Sequence, residues 1–484
     1  MAFAVIYLEI TLDVRRNIMK SGKWVIKNGT IVNPEYGEIK ADIKIEDEIV
    51  TAIGSGFCED GCKIYDATDK YLFPGFIDTH VHLGNFNSFE DDCRTETVSA
   101  AAGGVTTVCQ MAKASKLPKF RPPQTSYHEV LDEITGIIDN NSSVDVALHL
   151  NLSSYEQIDE IASYADLGHT SFKFFMSYVG MEGAIKMGAI GVRDGIIYAA
   201  LNKVSEVPGT LAIVHCENDD LIEYFQRSLT DKDKENISFS DFARSRPSIA
   251  EAENIHRLLY YASETGATVY IPHISSIKAI NVAKEARKNS GVKVFVETCP
   301  QYLVMTHEDA NKMPGAIAKV TPTMRDRETL DYLWECIKDR TIDTIGSDHC
   351  SIDLGKKKSV WSAPGGFPGI ETIAPLIITE ARNRGISLQR VSQILSYNAA
   401  KILGMLPRKG TLRIGADADI AILDLNKEVT IKAENLHSSS TFTPYEGFQT
   451  KASVEATFLR GNLIWRDGEL LEAKTGKVVL RKPL

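Results

Sequence analysis

Eight short apolar runs recur through the middle of the chain, at residues 76–82, 104–111, 144–151, 171–178, 211–217, 268–275, 292–299 and 342–348. The segments between them, such as 127–139, 154–165, 250–265, 277–289 and 326–339, carry apolar residues at helical spacing. A buried run too short for a helix, followed by an amphipathic helix and repeated eight times, is the pattern of parallel strands joined by crossover helices. The predicted fold class is therefore α/β: a (β/α)8 TIM-type barrel spanning about residues 74–404. A chain of 484 residues exceeds one such barrel.

Strand-like patterns flank the barrel on both sides. Residues 24–32 and 41–45 read as strands, with Asn28-Gly29 as a hairpin turn signal. After Leu403 the pattern returns at 418–423, 453–459 and 461–466, with tight turns at Arg460-Gly461-Asn462 and Asp467-Gly468. We expect a small β-sandwich built from both ends, residues 23–73 and 405–484, the latter including a C-terminal tail, preceded by an extension over 1–22.

Composition narrows the function. The apolar fraction is 43% and the charged fraction 24%, ordinary for a globular protein. A net charge of -10 offers no basic surface for nucleic acid or anionic membranes. No apolar run reaches the ~18–20 residues that span a bilayer. Met1–Leu8 is apolar but lacks a basic leader and a small-residue cleavage site, so it does not read as a secretory signal. Eight scattered cysteines read as free thiols, and the expected location is the cytoplasm.

In a barrel of this kind the chemistry sits at the carboxyl ends of the strands. His80 and His82 are two apart on the first run, so both side chains face one way. Lys173 lies on the fourth run, His215 on the fifth, His273 on the sixth and Asp348 at the end of the eighth. Each alone has an ordinary explanation. A single histidine can be a hydrogen-bonded core residue, Lys173 a snorkelling edge residue, and Asp348 a helix cap. Recurrence at matching depths on five strands argues instead for one site, and imidazole with carboxylate suits zinc and similar divalent ions.

These residues carry a resemblance. Gly75-Phe76-Ile77-Asp78-Thr79-His80-Val81-His82, Ser171-Phe172-Lys173-Phe174-Phe175-Met176-Ser177-Tyr178, Val214-His215-Cys216-Glu217-Asn218, Pro272-His273-Ile274-Ser275-Ser276, Glu297-Thr298-Cys299-Pro300 and Gly346-Ser347-Asp348-His349-Cys350 together resemble the amidohydrolase superfamily. The similarity is to its cyclic amidase branch of dihydropyrimidinases and hydantoinases, with allantoinases and dihydroorotases nearby. Ser245-Arg246-Pro247 and Asn398-Ala399-Ala400-Lys401 match as well.

The resemblance implies two divalent metal ions, usually zinc, bridged by Lys173 carboxylated on its amine. His80, His82 and Asp348 would hold one ion, and His215 and His273 the other. It further implies a metal-bridging hydroxide that attacks a ring amide carbonyl of a small cyclic substrate, with Asp348 moving the proton. Tyr178 would donate to the developing oxyanion. Hydantoinases bind the ring imide through backbone near a Ser-Pro and an Asn-Gly segment. The corresponding positions here are Thr321-Pro322 and Gly365-Gly366, so Thr321 and Gly365 are candidate substrate contacts. A homo-oligomer, tetramer or dimer, is implied.

Within that branch, dihydroorotases carry an arginine just after the histidine pair, to meet the substrate carboxylate. Here the run is His82-Leu83-Gly84-Asn85-Phe86, which argues against dihydroorotate. Phe86 and Phe89 are candidate pocket walls or loop anchors, and Lys356-Lys357-Lys358 with Trp361 reads as a solvated turn near the entrance or, alternatively, a substrate contact. The alternatives are an allantoinase or dihydroorotase with the same metals, and a non-catalytic dihydropyrimidinase-like assembly protein. Such scaffolds tend to lose metal ligands, whereas all six positions are filled here.

Overall fold

The computed structural model describes residues 22–114, 125–179, 190–229, 234 and 236–481. The expected extension over 1–22 lies almost wholly outside them. Eight parallel strands form one sheet in sequential order. They are β1 (Phe76–Val81), β2 (Val105–Lys113), β3 (Asp145–Asn151), β4 (Ser171–Phe175), β5 (Leu211–His215), β6 (Val269–Ile271), β7 (Val294–Thr298) and β8 (Thr344–Ile345). The ring closes past the end of β8: the His82 N–H donates to the His349 carbonyl at 2.9 Å, and Val81 bridges to His349 in parallel. This is the predicted barrel.

Alternation along the strands sets what points inward. On β5, Leu211 and Ile213 belong to the apolar cluster that also holds Ile77, Met111 and Tyr270. Ala212 and Val214 belong to the outer core packed beneath the helices. His215 continues the inward phase. On β4, Phe172 and Phe174 pack outward, which leaves Lys173 facing the interior. Around the barrel run helices such as Phe89–Ala102, Ser248–Thr265, Ile277–Asn289 and Arg327–Lys338. Their buried stripes meet the outward strand residues. No helix among the described residues is long and apolar enough to cross a membrane.

Several strands are shorter than the apolar runs suggested, and β4, β6 and β8 each end two or three residues before a site residue. Tyr178 (φ 62°), His273 (φ 42°) and Asp348 (φ 53°) occupy the left-handed region, which keeps the extended geometry from resuming there.

The sandwich joins both flanks. A seven-stranded sheet runs in the order Glu469–Leu470, Asn462–Arg466, Ser453–Leu459, Ile420–Asp424, Tyr71–Pro74, Thr30–Asn33 and Gly37–Lys40. The seam between the two ends of the chain is the antiparallel pair Tyr71–Pro74 with Ile420–Asp424. A four-stranded sheet faces it, and Ile26, Ile43, Ile45, Leu72, Ile420, Ile422 and Phe458 fill the space between.

One expectation fails here. Asn28-Gly29 does not close a hairpin: Trp24–Lys27 pairs within the four-stranded sheet, while Thr30–Asn33 pairs within the other. The left-handed Asn28 (φ 66°) turns the chain from one layer to the other. A Cβ at Gly29 would meet Leu72 Cδ1 at 2.2 Å, so the crossing lies flush against the sandwich core.

After the sandwich the chain returns to the barrel. Val146 N–H donates to the Lys477 carbonyl at 2.9 Å, and Val479 N–H donates to that of Val146 at 2.8 Å. Arg481, 2% exposed, donates to Ser171 Oγ at 2.8 Å and to the Leu148 carbonyl at 2.6 Å.

Candidate active site

At the carboxyl ends of the strands, one pocket is lined by His80, His82, Lys173, His215, His273 and Asp348, together with Tyr178, Thr321 and Gly365. All the sequence-expected site residues thus meet in one place. His82 Nε2 lies 3.1 Å from His80 Nε2. Asp348 Oδ1 is 3.1 Å from His82 Nε2 and 3.4 Å from His80 Nε2. On the other side, His215 Nδ1 stands 2.9 Å from His273 Nε2. The His80 and His273 rings are 5.2 Å apart, so the two groups adjoin.

Partners behind the rings fix which nitrogen faces the pocket. His80 Nδ1–H donates to Glu297 Oε1 at 3.0 Å, leaving the Nε2 lone pair forward. His215 Nε2–H donates to Glu217 Oε2 at 3.0 Å, so on this residue Nδ1 faces forward. Arg246 holds Glu217 with two hydrogen bonds, at 3.0 and 2.9 Å. Glu297 also accepts from Tyr270 Oη at 2.6 Å and from the His273 N–H at 3.2 Å. A Cβ at position 346 would lie 2.8 Å from Glu297 Oε2, so Gly346 makes room for that carboxylate inside the barrel.

Electrostatics favour cation ligands. Burial holds His80 and His273 well below the ordinary imidazole value and lowers His82 and His215 as well, so the rings present lone pairs at neutral pH. Burial opposes ionisation of Asp348, but His80 and His82 outweigh it and hold the carboxyl below its usual range. Burial lowers Lys173 to about 8. Its Nζ, fully enclosed and 4.7 Å from the Phe175 ring centre, has no hydrogen-bond partner among the described residues. A buried cationic head normally has a partner. His80, His82 and Asp348 are a group able to hold a metal ion, with their ligand atoms within 4.8 Å of one another.

Tyr178 sits at a left-handed kink three residues past the end of β4. Its hydroxyl shares a 2.8 Å hydrogen bond with Thr321 Oγ1, and its ring lies 5.3 Å from that of His215. Burial raises the phenol, which stays a donor across the physiological range.

Glu217, Glu297 and Arg246 lay within the motifs quoted above without an assigned role. Glu217 follows His215 by two residues and shares its face, a signal that strand periodicity carries. Asn85 and Lys113 also line the pocket and were not anticipated.

Two loop expectations change. Lys357 is buried rather than solvated: its ammonium donates to the Pro364 carbonyl at 2.9 Å, and burial lowers it to about 7. Carbonyls of the surrounding loop replace water around it, which a run of three lysines in sequence does not foretell. Phe86 and Phe89 are anchors packed on the core and do not line the pocket.

Residues 71–464 match the Amidohydrolase family. The chain is 32% identical over 462 residues to a D-hydantoinase of Geobacillus stearothermophilus, covering 92% of this chain and 94% of the relative. It is 30% identical to an allantoinase of Desulfitobacterium hafniense (strain Y51), covering 94% of this chain and 97% of the relative. The crystal structure of dihydropyrimidinase from Brevibacillus agri NCHU1002 superimposes with a TM-score of 0.87 at 31% identity, over 95% of this chain and 99% of that one.

Proposed function

The chain belongs to the amidohydrolase family, and from that premise we propose that it hydrolyses the amide bond of a cyclic amide or imide ring, of the dihydropyrimidine or hydantoin kind. The observation that carries this reading is the pocket itself. Four imidazoles with forward lone pairs, a carboxylate and an enclosed lysine converge beside a tyrosine hydroxyl.

The donor set fits two divalent ions, with zinc as the expected metal. His80, His82 and Asp348 would hold one, His215 and His273 the other, and Lys173 would bridge them as a carbamate. Bound there, the ions supply Lewis acidity and lower the pKa of water towards neutrality. Burial that lowers Lys173 to about 8 raises its neutral amine fraction. That amine adds to the carbon of carbon dioxide, forming a C–N bond and releasing one proton. The product is an anion, which removes the cost of enclosing an unpaired ammonium.

Asp348 accepts the proton of the attacking water and delivers it to the ring nitrogen as the C–N bond breaks. Tyr178 donates its O–H towards the carbonyl oxygen as negative charge develops there, with Thr321 orienting the hydroxyl. Thr321 and Gly365 border the space a ring would occupy. Eight free cysteines, six of them buried, support a reducing cytoplasm as the location. A homo-oligomer, tetramer or dimer, belongs to the same proposal.

The test pairs metal analysis with a substrate panel on one sample. We expect about two divalent ions per chain and ring opening of dihydrouracil or a 5-substituted hydantoin. Less than one ion per chain with no turnover would favour a non-catalytic assembly protein. The allantoinase relative makes allantoin the second substrate to try.

A further inference from the structure

Enclosed polar atoms in the pocket lining that have no hydrogen-bond partner among the described residues are Lys173 Nζ, His273 Nδ1 and Asn151 Oδ1. The first two belong to proposed metal ligands. Asn151 is outside that set, and the proposed reaction makes no use of it.

Asn151 is the last residue of β3 and 1% exposed. Leu148 and Leu150 pack in the outer core and Ala147 in the inner cluster, so Asn151 falls in the inward phase of the strand. Its register partner on β4 is Lys173, on a neighbouring strand ~4.8 Å away. The Asn151 N–H donates to Tyr127 Oη at 2.8 Å, which donates in turn to the Ala112 carbonyl at 2.7 Å. The main chain is fixed by these bonds, and the side-chain amide oxygen is left for another donor.

The bare amine makes little demand on that oxygen. Lys173 Nζ lies 4.7 Å from the Phe175 ring centre, and the N–H groups of a neutral amine are weak donors that an aromatic face can meet. Carboxylation changes the nitrogen. Its lone pair forms the new C–N bond to carbon dioxide, one N–H proton is released, and one N–H remains. That nitrogen is conjugated like a peptide nitrogen, so its N–H is a directional donor that needs an acceptor when enclosed. With the carbamate oxygens given to metal, the acceptor has to come from the protein. The acidic groups whose charge reaches Lys173 are committed, Asp348 to metal and Glu297 to His80 and Tyr270. Asn151 Oδ1 stands beside it uncommitted.

We infer that Asn151 is a positioning residue whose Oδ1 accepts the N–H of carboxylated Lys173 and holds the carbamate in place. This rests on the bridging-lysine reading above and deepens it.

The test reads the carbamate itself. Full-length protein freed of carbon dioxide is titrated with isotopically labelled bicarbonate in the presence of zinc, and the carbamate carbon is followed by NMR alongside metal content. Wild type should give a carbamate signal. Asn151→Leu, which keeps the bulk and removes the acceptor, should need about tenfold more bicarbonate for the same signal, the loss of one buried hydrogen bond. It should regain wild-type metal content once bicarbonate saturates, a recovery that a structural defect would not show. An unchanged titration, or no recovery at saturation, overturns the role of Asn151 while the bridging carbamate stands. No carbamate in the wild type overturns both. Should Asn151→Leu fail to fold, a crystal structure of the zinc-loaded wild type decides: a separation of about 3 Å between Lys173 Nζ and Asn151 Oδ1 supports the inference, and one beyond about 3.5 Å overturns it.

Discussion

Lys173 has its whole side chain enclosed in the middle of β4, with a bare amine in the pocket that four histidines line. An ammonium there would repel any cation, whereas a carbamate would attract two. Lys173→Ala should therefore lose bound metal and turnover together, and short carboxylic acids added to the buffer should restore part of the activity. Metal analysis checks it, and full occupancy in the variant would contradict the bridging role. The same enclosure sets a pH dependence. His80, His82, His215 and His273 titrate below their ordinary value. In the metal-free protein the folded state therefore binds fewer protons than the unfolded chain below pH ~6.5. The stability these four contribute is complete above that pH and is lost as the pH falls towards their folded values. Asp78, raised by burial to about 6, and Glu297, also raised by burial, act in the opposite direction. The four histidines outnumber the two carboxyls, so metal-free protein should melt at a lower temperature at pH 5.5 than at 7.5.

The strand ends do more than carry ligands. β4, β6 and β8 are each followed by a left-handed kink, at Tyr178, His273 and Asp348 respectively. All three side chains line the pocket. Tyr178→Phe should keep its metal and lose about 10²-fold in kcat, the usual consequence of removing one oxyanion donor; unchanged turnover would exclude that role. Behind β5, Arg246 and Glu217 hold the tautomer of His215. Glu217→Gln should lower occupancy of the ion at His215 and His273 while sparing the other, a split that cobalt absorption spectra would register. Much of this level was legible beforehand. Period two on His80 and His82, and the recurrence of Lys173, His215, His273 and Asp348 at strand ends, already pointed to one site. The kinks were not legible, because a positive φ at histidine, aspartate or tyrosine has no composition signature comparable to that of glycine. Lys113 was missed for a related reason: side chains that meet only across strands cannot be paired from linear spacing.

At the scale of the molecule, barrel and sandwich share buried charge. Lys409, 1% exposed, lies 2.7 Å from both Asp145 and Asp419, and Arg460 also reaches Asp145. Asp145 begins β3, whereas the other three lie in or beside the sandwich. Breaking one partner of such a buried set is costly, so Lys409→Met should destabilise the whole chain by about 3–5 kcal/mol, read as a lower melting temperature of both parts together. The segment from Lys477 to Arg481 ties onto β3 and β4 as well. Its place could not be read from sequence, since so short a segment has no periodicity to announce a partner.

The seam between Tyr71–Pro74 and Ile420–Asp424 has a consequence for biosynthesis. As the polypeptide leaves the ribosome, the first half of that seam emerges early and waits, its edge amides unclaimed, while the intervening barrel is still being made. The sandwich can be completed only once nearly all of the protein has been synthesised. Newly made chains should therefore pass through a stage in which the barrel can gather metal while its neighbour remains half-built and dependent on chaperones.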